Sequence, residues 1–160
     1  MGHLPPVISP SPPPPVVLDS PYHTGSYTIC TRVDDLLYVS GHIPMKPDGV
    51  LMRGRVGEDV DVEEAKKAAR LTTVNMLATL KKEIGDLDRV KKVVKLLGFV
   101  NCVDGFGGQP SIINGASDLL VEVFGEKGVH ARSAVGSNRL PLNIQVELEA
   151  VVEVEPLEGH

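Results

Sequence analysis

The side chains with chemistry to offer gather toward the C-terminal end of this 160-residue chain. Glu147, Glu149 and Glu153 stand at even spacing in an otherwise apolar run, so all three point to one side if the run is a strand. Three carboxylates on one face repel each other unless water or cations surround them. Two readings of that face are open: it is a solvated edge, or it looks into a cleft where Arg132 sits. In a cleft, the planar guanidinium of Arg132 offers a two-pronged fork to a carboxylate, and a glutamate near it holds or activates a water. Ser40-Gly41 at the end of a second apolar stretch, and Ser133 beside Arg132, add hydroxyls to the polar set.

Other chemistries find no support in the spacing. The five histidines, His3, His23, His42, His130 and His160, form no His-x-His or His-x3-His pair, and no Cys-x-x-Cys occurs, so no metal centre is expected. Gly105-Phe106-Gly107-Gly108 does not match a phosphate-cradling loop and leads into Pro110. No Gly-x-Ser-x-Gly elbow is present. The net charge is −5 and the cations come in nothing longer than pairs such as Lys66-Lys67 and Lys91-Lys92, which disfavours nucleic acid as a partner. Three Tyr, three Phe and no Trp leave few platforms for stacked bases. No apolar run approaches the roughly 18 residues that a membrane helix needs. The N-terminus lacks the basic-then-apolar order of a signal peptide, and Pro6 stands where a myristoylation signal wants Ser or Thr. Cys30 and Cys102 read as two reduced core thiols of a cytoplasmic protein.

These residues need elements to place them. Eight of the 13 prolines fall within residues 1–21, where Asp19 is the one charged side chain. That segment reads as a mobile, partly polyproline leader, and residues 22–160 read as one domain. Ser26–Arg32 and Leu36–Ser40 read as strands joined by a turn at Asp34-Asp35. Residues 41–57 form a loop punctuated by Pro44, Pro47-Asp48-Gly49, Gly54 and Gly57. Asp61 caps a helix and Glu64 completes a capping box. Ala65, Ala69, Thr72, Met76, Leu80 and Ile84 mark the apolar stripe of that helix, and Gly85 ends it. Arg89–Val103 fits either an amphipathic helix or a long buried strand. Pro110 starts a second helix, with Ile112 or Ile113, Ala116, Leu119, Leu120 and Val123 facing inward, and Gly125 stops it. Arg132–Gly136 reads as a loop and Asn138 to Pro141 as a turn. Asn143–Val154 reads as a last strand, with Ile144, Val146, Leu148, Ala150 and Val152 on one face and Gln145 and the glutamates on the other. The order describes an α+β sheet with helices on one face.

From about Tyr27 to Val154 the chain resembles the Rid family, the YjgF-type reactive-intermediate or imine deaminases. The likeness is carried by Leu37-Tyr38-Val39-Ser40-Gly41-His42-Ile43-Pro44, by Gly85-Asp86-Leu87-Asp88-Arg89-Val90 and by Ile113-Asn114-Gly115-Ala116-Ser117-Asp118-Leu119. It is most specific in Ala131-Arg132-Ser133-Ala134-Val135-Gly136, with Leu140-Pro141 and Val146-Glu147-Leu148-Glu149-Ala150. Within the family, the chain is similar to the branch with a longer loop between hairpin and first helix.

The resemblance implies a chorismate-mutase-like α+β fold, a mixed sheet with two helices packed on one face, assembled as a homotrimer with ligand clefts between subunits. Under it, Arg89–Val103 is a strand. It implies a hydrolysis that turns a small enamine or imine 2-imino acid, such as 2-iminopropanoate, into a 2-oxo acid and ammonia. In deaminating members the arginine matching Arg132 grips the substrate carboxylate, and the glutamate matching Glu147 positions the attacking water. The residues matching Tyr27, Ser40 and Asn114 shape or line the pocket, and the main chain at Ala134 contacts the imine or its water. No metal or organic cofactor is implied, because an imine carbon is already electrophilic and needs only charge and a placed water. A non-catalytic trimer binding small carboxylates shares every one of these residues. A ribonuclease also shares them, but runs against the net charge. The chain departs from the family in His42, where Gln is usual, in Ala134, where many members have Cys, in the longer loop and in the leader.

Overall fold

The computed structural model describes residues 25–156, so the leader expected at residues 1–21 lies outside the described residues. Strands β1 (Cys30–Val33) and β2 (Leu36–His42) form an antiparallel hairpin. It turns at Asp34, whose φ of 51° is one that Asp tolerates. After helix α1 (Val62–Ile84) come strand β3 (Val90–Asn101), helix α2 (Gln109–Phe124), strand β4 (Ala131–Ser137) and strand β5 (Val146–Val154). The sheet order is β1-β2-β5-β3-β4. Every pairing is antiparallel except β3 with β4, which run parallel with α2 as their crossover.

Alternation along β5 sorts the sheet's faces. Val146, Leu148, Ala150, Val152 and Val154 are buried against Met76 and Leu80 of α1 and Ile112 and Leu120 of α2, in one continuous core. The glutamates lie on the opposite, helix-free face. α1 is capped as its sequence predicts: Asp61 Oδ1 accepts from the Glu64 N–H at 2.8 Å, a contact worth about 1 kcal/mol. The second half of the capping box is diverted, because Glu64 Oε1 accepts from Gln145 Nε2 instead.

Two close approaches seat α2. Gly98 of β3 has no side chain where Ile113 packs, and a Cβ on Gly115 would land on the main-chain carbonyl of Lys66 in α1. Asn114 stands between these two contacts. The long loop after β2 is held by a small cluster of Met45, Leu51, Leu140 and Ile144. Asn75 of α1 also ties it down, donating to the carbonyls of Ile43 and Met45.

Several boundaries differ from the sequence reading. Arg132–Gly136 is not a loop but the body of β4; an edge strand carrying Arg132 on its inner face has no apolar alternation to reveal it. The first strand begins at Cys30 rather than Ser26. The last begins at Val146, because a 3-10 turn at Pro141–Asn143 puts Leu142 and Asn143 at φ 59° and 56° and breaks the alternation. Gln145 is therefore fully buried and does not share the glutamate face. β2 continues two residues past Ser40 through a bulge: Val39 pairs with Ala150 and His42 with Leu148, so the intervening Ser40-Gly41 carries one extra residue.

Candidate functional site

Arg132 stands opposite Leu96 in the parallel β3–β4 register, which puts it on the helix-covered face. Because β4 is the sheet edge, its guanidinium reaches past the core onto the start of α2. Nη1 donates to Oδ1 of Asn114 at 2.7 Å and to Oγ of Ser117 at 3.1 Å, and Nη2 donates to the Pro110 carbonyl at 3.4 Å. All three acceptors are neutral. Arg32, Arg70 and Lys91 each meet a carboxylate, from Asp35, Glu122 and Glu153; Arg132 meets none among the described residues. An arginine held by neutral oxygens keeps its full charge for an incoming anion. Of its five N–H groups, three are engaged, and the two that remain are on Nε and Nη2. Those two nitrogens form the edge that a carboxylate takes side-on with two bonds.

Asn114 and Ser117 lie three residues apart on one face of α2, as the helix repeat requires. Ser117 also meets Nε2 of His130 at 2.9 Å, and Nδ1 of His130 donates to the Gly128 carbonyl at 2.6 Å. Sequence reasoning passed over Ser117 and His130. The three-residue step from Asn114 was the available signal for Ser117, and His130 had only its nearness to Arg132. Ala134, two residues along the same strand, packs its methyl against the core and leaves its main chain on the sheet edge.

Glu147 belongs to a second cluster. It pairs with Phe99 of β3 and lies on the open face. Its carboxylate rests over Gly41 in the β2 bulge, where any Cβ would strike Oε1. Burial pushes the Glu147 carboxyl above the ordinary range, and the charge of Glu149 on the same face adds to the effect. A carboxyl so shifted is suited to taking up and returning a proton. Ser40 ties down the preceding segment: its Oγ donates to the Thr28 carbonyl at 2.7 Å and its N–H donates to the Ile29 carbonyl at 2.9 Å. This brings half-exposed Tyr27 alongside β2. Beneath the bulge, His42 donates from Nδ1 to the Ser40 carbonyl at 2.7 Å and meets Thr79 Oγ1 through Nε2 at 2.8 Å. His42 is thus a packed residue, and burial lowers its pKa. Burial and Glu83 push the Cys30 thiol up to about 11, so it is inert at neutral pH.

The predicted site residues therefore form two groups. Arg132, Asn114 and Ala134 lie at the β4–α2 edge; Glu147, Ser40 and Tyr27 lie at the β2–β5 bulge. Within one chain the two groups do not meet. They occupy opposite faces, and two strand spacings plus three residues along the strand separate them by roughly 10 Å in each direction. Among the described residues, no three His, Cys, Asp or Glu side chains gather to hold a metal, and no helix is long and apolar enough to cross a membrane.

Comparison with known proteins shows the family. A family model described as "YjgF/chorismate_mutase-like, putative endoribonuclease" matches residues 18–153. A crystal structure of a protein of unknown function from Agrobacterium tumefaciens is 47% identical, with a TM-score of 0.79, over 82% of this chain and 86% of that one. A crystal structure titled "putative endoribonuclease" from Shewanella oneidensis is 34% identical, with a TM-score of 0.81, over 86% of this chain and 91% of that one. The human 2-iminobutanoate/2-iminopropanoate deaminase is 31% identical across 86% of this chain and 87% of its own length. With its signature residues on β4, β5 and α2 of a five-stranded sheet backed by two helices, the chain belongs to the YjgF/Rid family.

Proposed function

We propose that the protein is a hydrolytic deaminase of small 2-imino acids, working as a homotrimer in which the Arg132 group of one subunit closes onto the Glu147 group of the next. The observation that carries this reading is the uncompensated, pre-aligned guanidinium of Arg132. It has the charge and the open edge to take the carboxylate of an imine such as 2-iminopropanoate. The open sheet face supports the assembly. Tyr38 is 48% and Val135 42% exposed there, and a hollow of about 400 Å³ is lined by Tyr38, Ser40, Lys95, Leu97, Glu149 and Val151. Apolar surface of this kind calls for a partner.

The chemistry uses both groups. Arg132 fixes the carboxylate, and Asn114 and the main chain at Ala134 border the imine. Glu147 takes a proton from a water, whose oxygen adds to the C=N carbon. That proton passes to the nitrogen, the proton of the new hydroxyl follows it as the C–N bond breaks, and ammonia leaves as the C=O bond forms. One imine and one water give one 2-oxo acid and one ammonia, with no electron change. The test is ammonia release from 2-iminopropanoate generated in situ. Wild type is expected to exceed Arg132→Ala by about 100-fold or more; equal rates overturn the reading, and ligand-induced stabilisation without turnover would mark a carboxylate binder instead. RNA cleavage that persists in Arg132→Ala and Glu147→Ala would identify a contaminating nuclease.

A further inference from the structure

We propose that His130 is a positioning residue for Arg132: acting through Ser117, it fixes which edge of the guanidinium stays open, and it makes carboxylate binding tighten as His130 takes up a proton. This rests on the reading of Arg132 as the carboxylate holder. A carbonyl only accepts, so the 2.6 Å contact with Gly128 places a hydrogen on Nδ1 of His130. A neutral imidazole then presents a bare Nε2, and the Ser117 hydroxyl donates to it across 2.9 Å. With its hydrogen committed there, Oγ turns a lone pair to Nη1 of Arg132. That bond and the one to Asn114 occupy both hydrogens of Nη1, so the end of the fork is closed and the Nε–Nη2 edge remains.

Protonation of His130 reverses one donor. Nε2 now donates, and the two lone pairs of Ser117 Oγ accept from His130 and Arg132 together, so Arg132 keeps its alignment. A second positive charge arrives two hydrogen bonds from the guanidinium. A bound carboxylate favours that charge, and binding is linked to proton uptake. Other charged residues on the surrounding elements are engaged elsewhere or unconnected to the ring. Glu122 of α2 pairs with Arg70, and Asp118 of α2 lines a groove with Lys66 and Arg70. No hydrogen bond joins the imidazole to Glu126 or Lys127 of the Gly125–Gly128 turn, or to Lys95 opposite Ala131. Arg132 is the charge that the hydrogen-bond chain reaches.

The full chain is titrated with pyruvate, a 2-oxo carboxylate, at a series of pH values from about pH 8 to about pH 5.5. Isothermal calorimetry in two buffers of different ionisation heat counts the protons taken up. His130→Gln keeps an acceptor for Ser117 and cannot charge, so the affinity of each protein at the alkaline end serves as its own reference. Toward acid, the ratio of wild-type to His130→Gln affinity rises roughly ten- to thirtyfold, as one charge acting over about 8–10 Å near a protein surface requires. Any response of Glu147 is common to both proteins and cancels in that ratio. Ser117→Ala is the second variant, with weaker binding throughout because Nη1 of Arg132 loses one of its two acceptors. A ratio that stays constant with pH, or a Ser117→Ala that binds pyruvate as tightly as wild type, overturns the proposal and leaves Arg132 as the carboxylate holder. Pyruvate that binds Arg132→Gln as well as wild type, or that binds wild type at neither pH, overturns the reading of Arg132 and this proposal with it.

Discussion

The two clusters are fastened by the same local device. At the β2–β5 bulge, His42 donates from Nδ1 to the carbonyl two residues back and meets a hydroxyl of α1 through Nε2. At the β4 edge, His130 does the same with Gly128 and a hydroxyl of α2. They differ in depth and in the group beyond the hydroxyl. His42 is 7% exposed, burial disfavours its charged form, and among the described residues no hydrogen bond leads from Thr79 to a charged group. It pins the bulge so that Glu147 can settle over Gly41. His130 is less deeply set, and its hydroxyl leads to the guanidinium of Arg132. One motif thus serves as a fixed pin in one place and as a link to a charge in the other, and burial with the next neighbour decides which.

Substitutions at the two clusters put this contrast to the test. The largest effect is expected from Glu147→Gln, with turnover down about 10³-fold as befits a lost proton carrier. The same change should raise the melting temperature at pH 7. A carboxyl with a raised folded pKa contributes stability that is present below the ordinary Glu value of about 4.3 and lost as pH rises through the folded value. Thermal melts should therefore show a gain at neutral pH that vanishes in acid; a loss at neutral pH would contradict it. Next, Arg132→Lys keeps the charge and removes the fork, so kcat/KM for 2-iminopropanoate should fall about 100-fold, most of it in KM. A fall confined to kcat would place Arg132 elsewhere in the reaction.

Third, inactive Arg132→Ala and Glu147→Gln subunits, unfolded together and refolded at equal ratio, should regain about a quarter of wild-type activity, since one subunit boundary in four then holds both native groups. No regain would return both groups to a single chain. The smallest effect belongs to His42→Gln, about 1 kcal/mol in urea melts at pH 7. A lowered histidine pKa gives stability that is present above the ordinary value of about 6.5 and lost as pH falls through the folded one. The acid-side decline should flatten in this variant, and an unchanged decline would assign it to other groups.

Much of the molecule was legible in its residues. α1 announced itself from Asp61 to Gly85 because cap, stripe and stop agree over 23 residues. The glutamate face of β5 followed from plain alternation. β4 was hidden because its inner face carries Arg132, a polar residue satisfied by α2, where a periodic pattern expects an apolar one. Gln145 misled for the opposite reason: two consecutive positive-φ residues after Pro141 leave no mark in hydrophobicity, yet they turn it inward. Arg132, Ser40 and the glutamates stand out by residue type and spacing, while Asn114, Tyr27, Ala134 and the particular role of Glu147 come from the family resemblance. Their division between two faces was not legible, because the parallel register of β3 with β4 depends on how α2 seats.

That seating has a consequence at Gly115. The residue is not among the hydrogen-bond partners of Arg132, yet its missing side chain lets α2 lie against the Lys66 carbonyl. Adding one methyl there would lever α2 away from α1 while β4 stays hydrogen-bonded in the sheet. Asn114 and Ser117 would travel with the helix, and the guanidinium would be re-aimed rather than lost. Position 115 therefore acts on the Arg132 edge through the seating of α2, without altering any group that meets the guanidinium.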